Sequence, residues 1–220
     1  MNRSNLTTAL ILLLMALVSA NVLGQGDKKT SSNIKWVDVK KICIEYEVAG
    51  NGKGTQKVYM GDWGNEHVTI LDVVMEMGPI KQRTHTATYL KGDKIYTVNL
   101  ETNTGTVAEN PMRSAKNEQQ AKQIGEDFLK HYGKEVGTEE FLGKTCRVFE
   151  MPDLGTRTLV WKNITLKSVT GMGPIKQIMT AVKIILDFDE KIFNLPKDIN
   201  FKKQESLDDI MEKMKGNFKN

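Results

Sequence analysis

Apolar and polar residues alternate with a period of two along much of this chain, and that pattern constrains its fold more than any other feature. In the run 42–48 every second residue is apolar, as expected for a strand that buries one face. Short turn-forming separators predict antiparallel strands joined by hairpins. Further runs rich in β-branched and aromatic residues predict strands at 67–77, 82–90, 94–100, 144–150, 157–162, 164–169 and 176–188.

Glycine marks several of the predicted turns. The glycine-rich segment 49–55 predicts a loose hairpin loop between the strand at 42–48 and another at 56–60. The hexapeptide Met-Gly-Pro-Ile-Lys-Gln occurs twice, at 77–82 and at 172–177. Because Gly-Pro favours a turn, we interpret the repeat as two similar turns between long strands. An ancient duplication of a strand–turn–strand unit would also explain it.

Two segments have helical periodicity instead. A helix capped by Ser114 is predicted over 114–132, with Gly133 as its left-handed stop. A C-terminal helix is predicted from Ser206 to Gly216, and its length of about three turns requires a surface to dock on. The apolar face of the mid-chain helix comprises Ala121, Ile124, Phe128, Leu129 and Tyr132.

The N-terminus has the features of a secretory signal. Residues 9–18 are wholly apolar, and Arg3 is the only charge before them. This run is shorter than the roughly 20 residues that span a bilayer, which favours a cleavable signal peptide over a retained anchor. Cleavage fits after Ala20 or after Gly24, and the mature chain is expected in the periplasm or secreted. The expected organisation is a signal peptide over 1–24, a flexible segment over 25–33, the sheet domain over 34–203 and the C-terminal helix and tail over 204–220.

The composition argues against several classes of function. The net charge of +4 is spread along the chain without a basic block, so we expect no nucleic-acid partner. The chain has 3 histidines, and none has a second ligand at metal-binding spacing. Catalytic and nucleotide-binding motifs are also missing from the sequence. We therefore expect no catalytic residue, no cofactor and no metal.

The two cysteines, Cys43 and Cys146, can form a disulfide in an oxidising compartment. A bridge requires Cα atoms within roughly 7 Å of each other. The alternative is two separate, half-buried thiols on different strands.

Methionine and tryptophan are concentrated on or beside the predicted strands. Because methionine is flexible and polarisable, it lines surfaces that adapt to varied apolar ligands. One interpretation is a concave sheet whose inner face holds lipid, and the other is that these residues fill a packed core. The expected ligand-binding lining comprises Met60, Trp63, Met75, Met77, Phe128, Trp161 and Met179.

Three stretches resemble the periplasmic lipoprotein-carrier superfamily of LolA-like and LolB-like proteins, together with related exported bacterial domains. The stretch 142–149, LGKTCRVF, resembles the entry to the second half of these proteins. The stretch 159–161, LVW, is similar to their recurrent strand ending in Trp, and 185–196, ILDFDEKIFNLP, to their closing element. The resemblance covers roughly residues 40–203. The cavity arginine of the family has no single counterpart among Arg83, Arg113, Arg147 and Arg157.

This resemblance implies an unclosed barrel that shelters acyl chains and catalyses no reaction. We therefore expect an α+β fold: a curved antiparallel sheet, or unclosed half-barrel, with the 114–132 helix on its concave face and a C-terminal helix. The expected function is non-catalytic binding of a hydrophobic ligand, such as lipoprotein acyl chains or lipid, in the bacterial periplasm, with peripheral membrane contact at most. The alternative is a protein-interaction or stress-sensing module of the envelope, whose partner is a protein rather than lipid.

Overall fold

The computed structural model describes residues 35–77, 80–110, 133–172 and 175–203. Within these ranges the chain forms twelve strands of a single sheet. The strands are β1 Ile42–Gly50, β2 Gly52–Gly61, β3 Glu66–Met77, β4 Ile80–Lys91, β5 Lys94–Asn99, β6 Thr104–Glu109, β7 Lys134–Phe141, β8 Lys144–Met151, β9 Thr156–Trp161, β10 Ile164–Met172, β11 Ile175–Ile185 and β12 Phe201–Lys203.

The sheet consists of two antiparallel meanders that share a border. Its strand order is β12-β6-β5-β4-β3-β2-β1-β11-β10-β9-β8-β7. Strands β1 and β11 pair antiparallel and join the two meanders, whereas β12 pairs parallel with β6. The edge strands β7 and β12 do not pair with each other. The predicted unclosed, antiparallel-dominated sheet is therefore confirmed.

Backbone hydrogen bonds at one end of the sheet require it to be strongly curved. The amide of Val37 donates to the Trp63 carbonyl and the amide of the next residue, Asp38, to the Lys162 carbonyl, each at 3.2 Å. The two donating amides belong to adjacent residues and are therefore at most about 3.8 Å apart. With a 3.2 Å hydrogen bond from each amide, the two carbonyl oxygens lie within about 10 Å of each other. In a flat sheet these two turns, β2–β3 and β9–β10, would be about 19 Å apart at 4.8 Å per strand. A curved half-barrel fits this geometry.

The main apolar core lies on the inside of that curve. It contains buried residues of β1, β2 and β8–β11 together with Val37. Val37 belongs to the segment that closes the curved end, so the core-facing side of the sheet is the concave side. The buried residues of the main core are Val37, Ile42, Ile44, Tyr46, Val58, Met60, Cys146, Val148, Leu159, Ile164, Leu166, Met179 and Ala181.

A second apolar cluster packs residues after β11 against the other meander. Phe193 and Ile199 are buried there with Val68, Tyr89 and Val98. Edge-to-face ring contacts support this packing, which is a favourable aromatic geometry: Tyr59 and Phe188 at 5.3 Å, Phe188 and Phe193 at 5.9 Å, and Tyr96 and Phe201 at 5.1 Å between centroids.

The predicted loose loop over 49–55 is wrong. Strand β1 continues to Gly50 and β2 begins at Gly52, so Asn51 alone separates them. Gly54 lies within β2 with a φ of +156°, and a Cβ there would lie 2.0 Å from the Asp72 carbonyl oxygen. Glycine is therefore required at this position for the close approach of β3 and not for a flexible loop.

The other predicted strands are confirmed, and the structure adds three short ones, β6, β7 and β12. The predicted strand at 176–188 ends earlier, at Ile185. The predicted helices over 114–132 and 206–216 lie outside the described residues, as does the signal peptide. Helical structure in the described ranges consists of short 3-10 helices at Asp62–Gly64, Pro152–Leu154 and Glu190–Phe193.

Each copy of the repeated hexapeptide begins at the last residue of a strand, Met77 of β3 or Met172 of β10. Met77 pairs with Ile80 between β3 and β4, and Met172 with Ile175 between β10 and β11. The residues between these pairs, 78–79 and 173–174, lie outside the described residues, so the interpretation of two similar turns stays a prediction. Asn51 joins the β3–β4 hairpin to the β10–β11 hairpin. Its backbone amide donates to the Lys176 carbonyl oxygen, and its own carbonyl oxygen accepts from the Glu76 amide, each at 2.9 Å.

Candidate ligand-binding face

The strand register sorts the side chains of β1–β6 by charge. Directly paired residues share a face and alternate residues along a strand share it too, so the continuous register from β1 to β6 defines two faces. The face that includes Ile42, Ile44 and Met60, here called the neutral face, carries no Asp, Glu, Lys or Arg. Its members are residues 42, 44, 46 and 48 of β1, 52–60 (even numbers) of β2, 67–75 (odd) of β3, 82–90 (even) of β4, 95, 97 and 99 of β5, and 104, 106 and 108 of β6.

All the acidic residues, lysines and arginines of these six strands lie on the opposite face, here called the charged face. Several form ion pairs there, including Lys57–Glu45 at 2.7 Å and Arg83–Asp72 at 2.8 Å. The members that carry charge are Glu45, Glu47, Lys53, Lys57, Glu66, Asp72, Glu76, Lys81, Arg83, Lys91, Lys94 and Glu109.

Three methionines of the expected lining lie on the concave side. Met60 and Met179 are buried in the main core. Met75 is buried with Val48 and Val73 in an adjoining cluster. Met179 of β11 pairs with Val48, so it continues the neutral face beyond β1. The fold therefore places methionines from three strands on one side of the sheet, although Met60, which pairs with His67, lies eight residues along β3 from Met75.

The remaining members of the expected lining are placed differently. Trp161 is half-buried against the main core, with the Nζ atoms of Lys144 and Lys162 at 5.3 and 5.1 Å from its ring centre. Trp63 lies in the turn after β2, where Lys35 Nζ sits 4.2 Å from its ring centre. The Met77 side chain and Phe128 lie outside what the structure describes.

Buried hydroxyl and amide groups accompany the methionines, and the sequence interpretation missed them. Gln56 and His67 of the neutral face are buried, and His67 Nε2 lies 2.9 Å from Thr69 Oγ1. On β9 and β10 the hydroxyls of Thr158 and Ser168 are 3.3 Å apart. The available sequence signal was threonine at a period of two, as at 84, 86 and 88.

Tyr46 connects β1 to β10 across the intervening strand. Its hydroxyl donates a 2.8 Å hydrogen bond to the Thr165 carbonyl, close to a register shift between β9 and β10. Burial raises the pKa of Tyr46, so this side chain stays neutral. The bond satisfies a polar group that would otherwise be costly in an apolar core.

The two cysteines are free and buried. Cys43 lies between Ile42 and Ile44, which belong to the main core, and therefore faces away from it. Cys146 belongs to that core, on a strand separated from β1 by three others. The structure therefore does not bridge them, because they lie on different strands and face different sides. Burial raises the pKa of both thiols.

Three of the four candidate cavity arginines are held by carboxylates. Arg83 pairs with Asp72 on the charged face at 2.8 Å. Arg147 pairs with Glu135 at 2.6 Å, and Arg157 with Glu139 at 2.7 Å; Arg113 lies outside the described residues.

Within the described ranges, no group of three or more His, Cys, Asp or Glu side chains is placed to hold a metal ion. None of the helices in the same ranges combines the length and the hydropathy needed to cross a membrane.

No family model matches the sequence, and neither does any curated protein. Solved structures similar to the chain include an uncharacterized conserved protein from Thermus thermophilus, at 9% identity and a TM-score of 0.51, covering 76% of this chain and 92% of that one. They also include the LolA superfamily protein NE2245 from Nitrosomonas europaea, at 9% identity and a TM-score of 0.30, covering 82% and 97%. A third is LprF from Mycobacterium bovis, at 9% identity and a TM-score of 0.33, covering 69% and 90%. At 9% identity and a TM-score of 0.51, the Thermus thermophilus protein shows a likeness of fold alone.

Proposed function

We propose that this chain is an exported, non-catalytic carrier that binds a hydrophobic ligand, such as lipid or lipoprotein acyl chains, on its concave face in the bacterial periplasm. The observation that carries the proposal is the neutral face. Six neighbouring strands place no Asp, Glu, Lys or Arg on it, in a chain with 26% charged residues. An acyl chain can lie on such a surface without burying a charge, and an unpaired buried charge costs several kcal/mol.

Methionine supports the same conclusion. Met60, Met75 and Met179 lie on three strands of the concave side and are buried. A thioether side chain has several rotatable bonds, so it can repack around acyl chains of different length. The curved end closed by Val37 would limit how far a chain can extend along the sheet in that direction.

The first test is to isolate the protein from a bacterial host, extract it with organic solvent and analyse the extract by mass spectrometry. Binding of the neutral dye Nile red to the delipidated protein is measured in parallel. The carrier proposal predicts co-purified lipid or saturable dye binding at one site. If neither is found, the carrier proposal fails and the protein-interaction alternative is favoured.

A matched pair of variants tests whether the neutral face is the binding surface. Thr86→Glu adds a charge to the neutral face, and Thr180→Glu adds one to the opposite side of β11. Both threonines are half-buried in mid-strand positions. We expect Thr86→Glu to weaken Nile red binding at least about tenfold and Thr180→Glu less than about twofold, because only the first buries a charge beneath the ligand. Equal effects would place the site elsewhere, and urea unfolding confirms that both variants fold.

The domain organisation is proposed on the sequence features alone: signal peptide 1–24, flexible segment 25–33, sheet domain 34–203, and C-terminal helix and tail 204–220. N-terminal sequencing of protein from a periplasmic extract tests the export step. We expect the mature chain to begin at Asn21 or Gln25. A mature protein that retains Met1 would contradict a cleaved signal.

A further inference from the structure

The neutral face carries a regular ladder of hydroxyl groups in addition to its apolar residues. Thr69 pairs with Thr88, Thr88 with Thr97 and Thr97 with Thr106, one threonine on each of four neighbouring strands. Such a row places side chains about 4.8 Å apart across the strands. Thr84 and Thr86 continue the pattern along β4 on the same face.

These hydroxyls offer hydrogen bonds without charge. Within the part of the chain that the structure describes, the Thr88 and Thr97 hydroxyls make no hydrogen bond. Each threonine also presents a methyl group, so the row is partly apolar and partly hydrogen-bonding. Charged side chains on this side of the sheet lie beyond these six strands, as does Lys202 of the edge strand β12, which pairs with Thr106.

We propose that the ligand of this face is a neutral, ester-bearing acyl lipid of the acylglycerol type, whose ester carbonyls accept hydrogen bonds from Thr88 and Thr97. This proposal rests on the carrier function proposed above and specifies its ligand. A neutral hydroxyl donor matches a carbonyl acceptor, whereas a fatty-acid carboxylate or a phosphate on this face would have no cation within β1–β6 to pair with. An anion without a partner on a weakly solvated surface loses much of its hydration energy.

The preference for a neutral over an anionic ligand applies to the neutral face alone, because the charged side chains of these strands lie on the opposite face. The cations of these strands lie on the charged face, where Lys57 and Arg83 are already paired with Glu45 and Asp72. They point away from a ligand on the concave side and cannot neutralise it. A ligand with an acidic head group could therefore bind only with that group outside the face.

Displacement of Nile red from the delipidated full chain tests the proposal with two probes that share one acyl chain. The probes are 1-monooleoylglycerol and oleate, compared at a pH at which oleate is ionised. We expect the glycerol ester to bind at least about tenfold more tightly than oleate. Equal affinities, or tighter oleate binding, would overturn the ligand assignment but leave the carrier function intact. Failure of Nile red and both probes to bind would overturn the carrier function itself.

Substitutions in the threonine row provide the second arm. Thr88→Val and Thr97→Val keep the side-chain shape and remove the hydroxyl, and each is expected to weaken monooleoylglycerol binding about threefold to tenfold with little change for oleate. Thr55→Val, an exposed position on the charged face, is the matched control and should leave both affinities unchanged. Thr88→Lys supplies the missing cation and should shift the preference toward oleate. Unchanged selectivity in all three neutral-face variants would show that the row does not contact the ligand.

Discussion

Replacement of Gly54 by alanine is the sharpest test of how β2 and β3 pack. The new Cβ would lie 2.0 Å from the Asp72 carbonyl oxygen, whereas real Cβ contacts are almost never under 3.0 Å. The Asp72 backbone would therefore have to retreat by about 1 Å, against the ladder that pairs β3 with both neighbours. Overpacking of this kind costs about 1–3 kcal/mol, and a non-glycine residue at this φ adds about 1–3 kcal/mol. We expect a loss of about 2–6 kcal/mol in the free energy of unfolding.

Urea unfolding followed by tryptophan fluorescence measures this loss, with Gly137→Ala as the control. Gly137 has a similar φ, +145°, but a Cβ there would have no atom within 4 Å. The control should therefore lose only the backbone-strain part, about 1–3 kcal/mol. If both variants lost the same free energy, close approach of the strands would not be the reason for glycine at position 54. A change within about 0.5 kcal/mol for Gly54→Ala would restore the loop interpretation.

Three further predictions concern hydrogen bonding, thiols and acid stability. Tyr46→Phe removes the donor to the buried Thr165 carbonyl and should lower the free energy of unfolding by about 1–2 kcal/mol at unchanged urea m-value; no loss would mean that the carbonyl is satisfied without it. Cys43 and Cys146 are free and buried with raised pKa, so a thiol reagent should label two groups in urea and neither in the native protein; no labelling in urea would reveal a disulfide. The hydrogen bond from Arg83 lowers the pKa of the Asp72 carboxyl in the folded protein. The ionised carboxylate therefore contributes its full stabilisation above the unfolded pKa of about 3.9, and this stabilisation is lost as pH falls through the folded pKa. Asp72→Asn should therefore flatten the decline in urea midpoint between about pH 5 and pH 3, and an unchanged slope would contradict this.

Strand positions were predictable where one side of a strand is apolar. The alternation in β1 and the turn residues around β4 and β5 predicted their strands because a half-buried strand has a period of two. Strand β7 was missed because it is an edge strand whose residues are mostly exposed, so burial imposes no alternation on it. It pairs with β8, the next strand along the chain, across the turn at Leu142 and Gly143, and exposed ion pairs such as Arg147–Glu135 at 2.6 Å add little stability to that hairpin.

The glycine-rich segment was misjudged for a related reason. Glycine favours loops when judged by local conformational freedom alone. In this fold Gly52 and Gly54 allow close packing against β3: a Cβ at Gly52 would lie 2.6 Å from Met75 Sδ. Whether a glycine forms a loop or allows close strand packing depends on which residue lies opposite it in the sheet. The pairing of the strands decides that.

The sequence by itself determined that the chain forms antiparallel hairpins, because a period of two and turn residues are local properties. It also determined which residues are apolar, because hydropathy is a property of each side chain. Only the tertiary structure decided that Met60, Met75 and Met179 share the concave side and that the cysteines face different sides. The charge-free face likewise emerges only when the register of six strands is known, since the same alternation would serve either side of each strand. Curvature, imposed where Val37 and Asp38 bond to two distant turns, then makes that face the concave one.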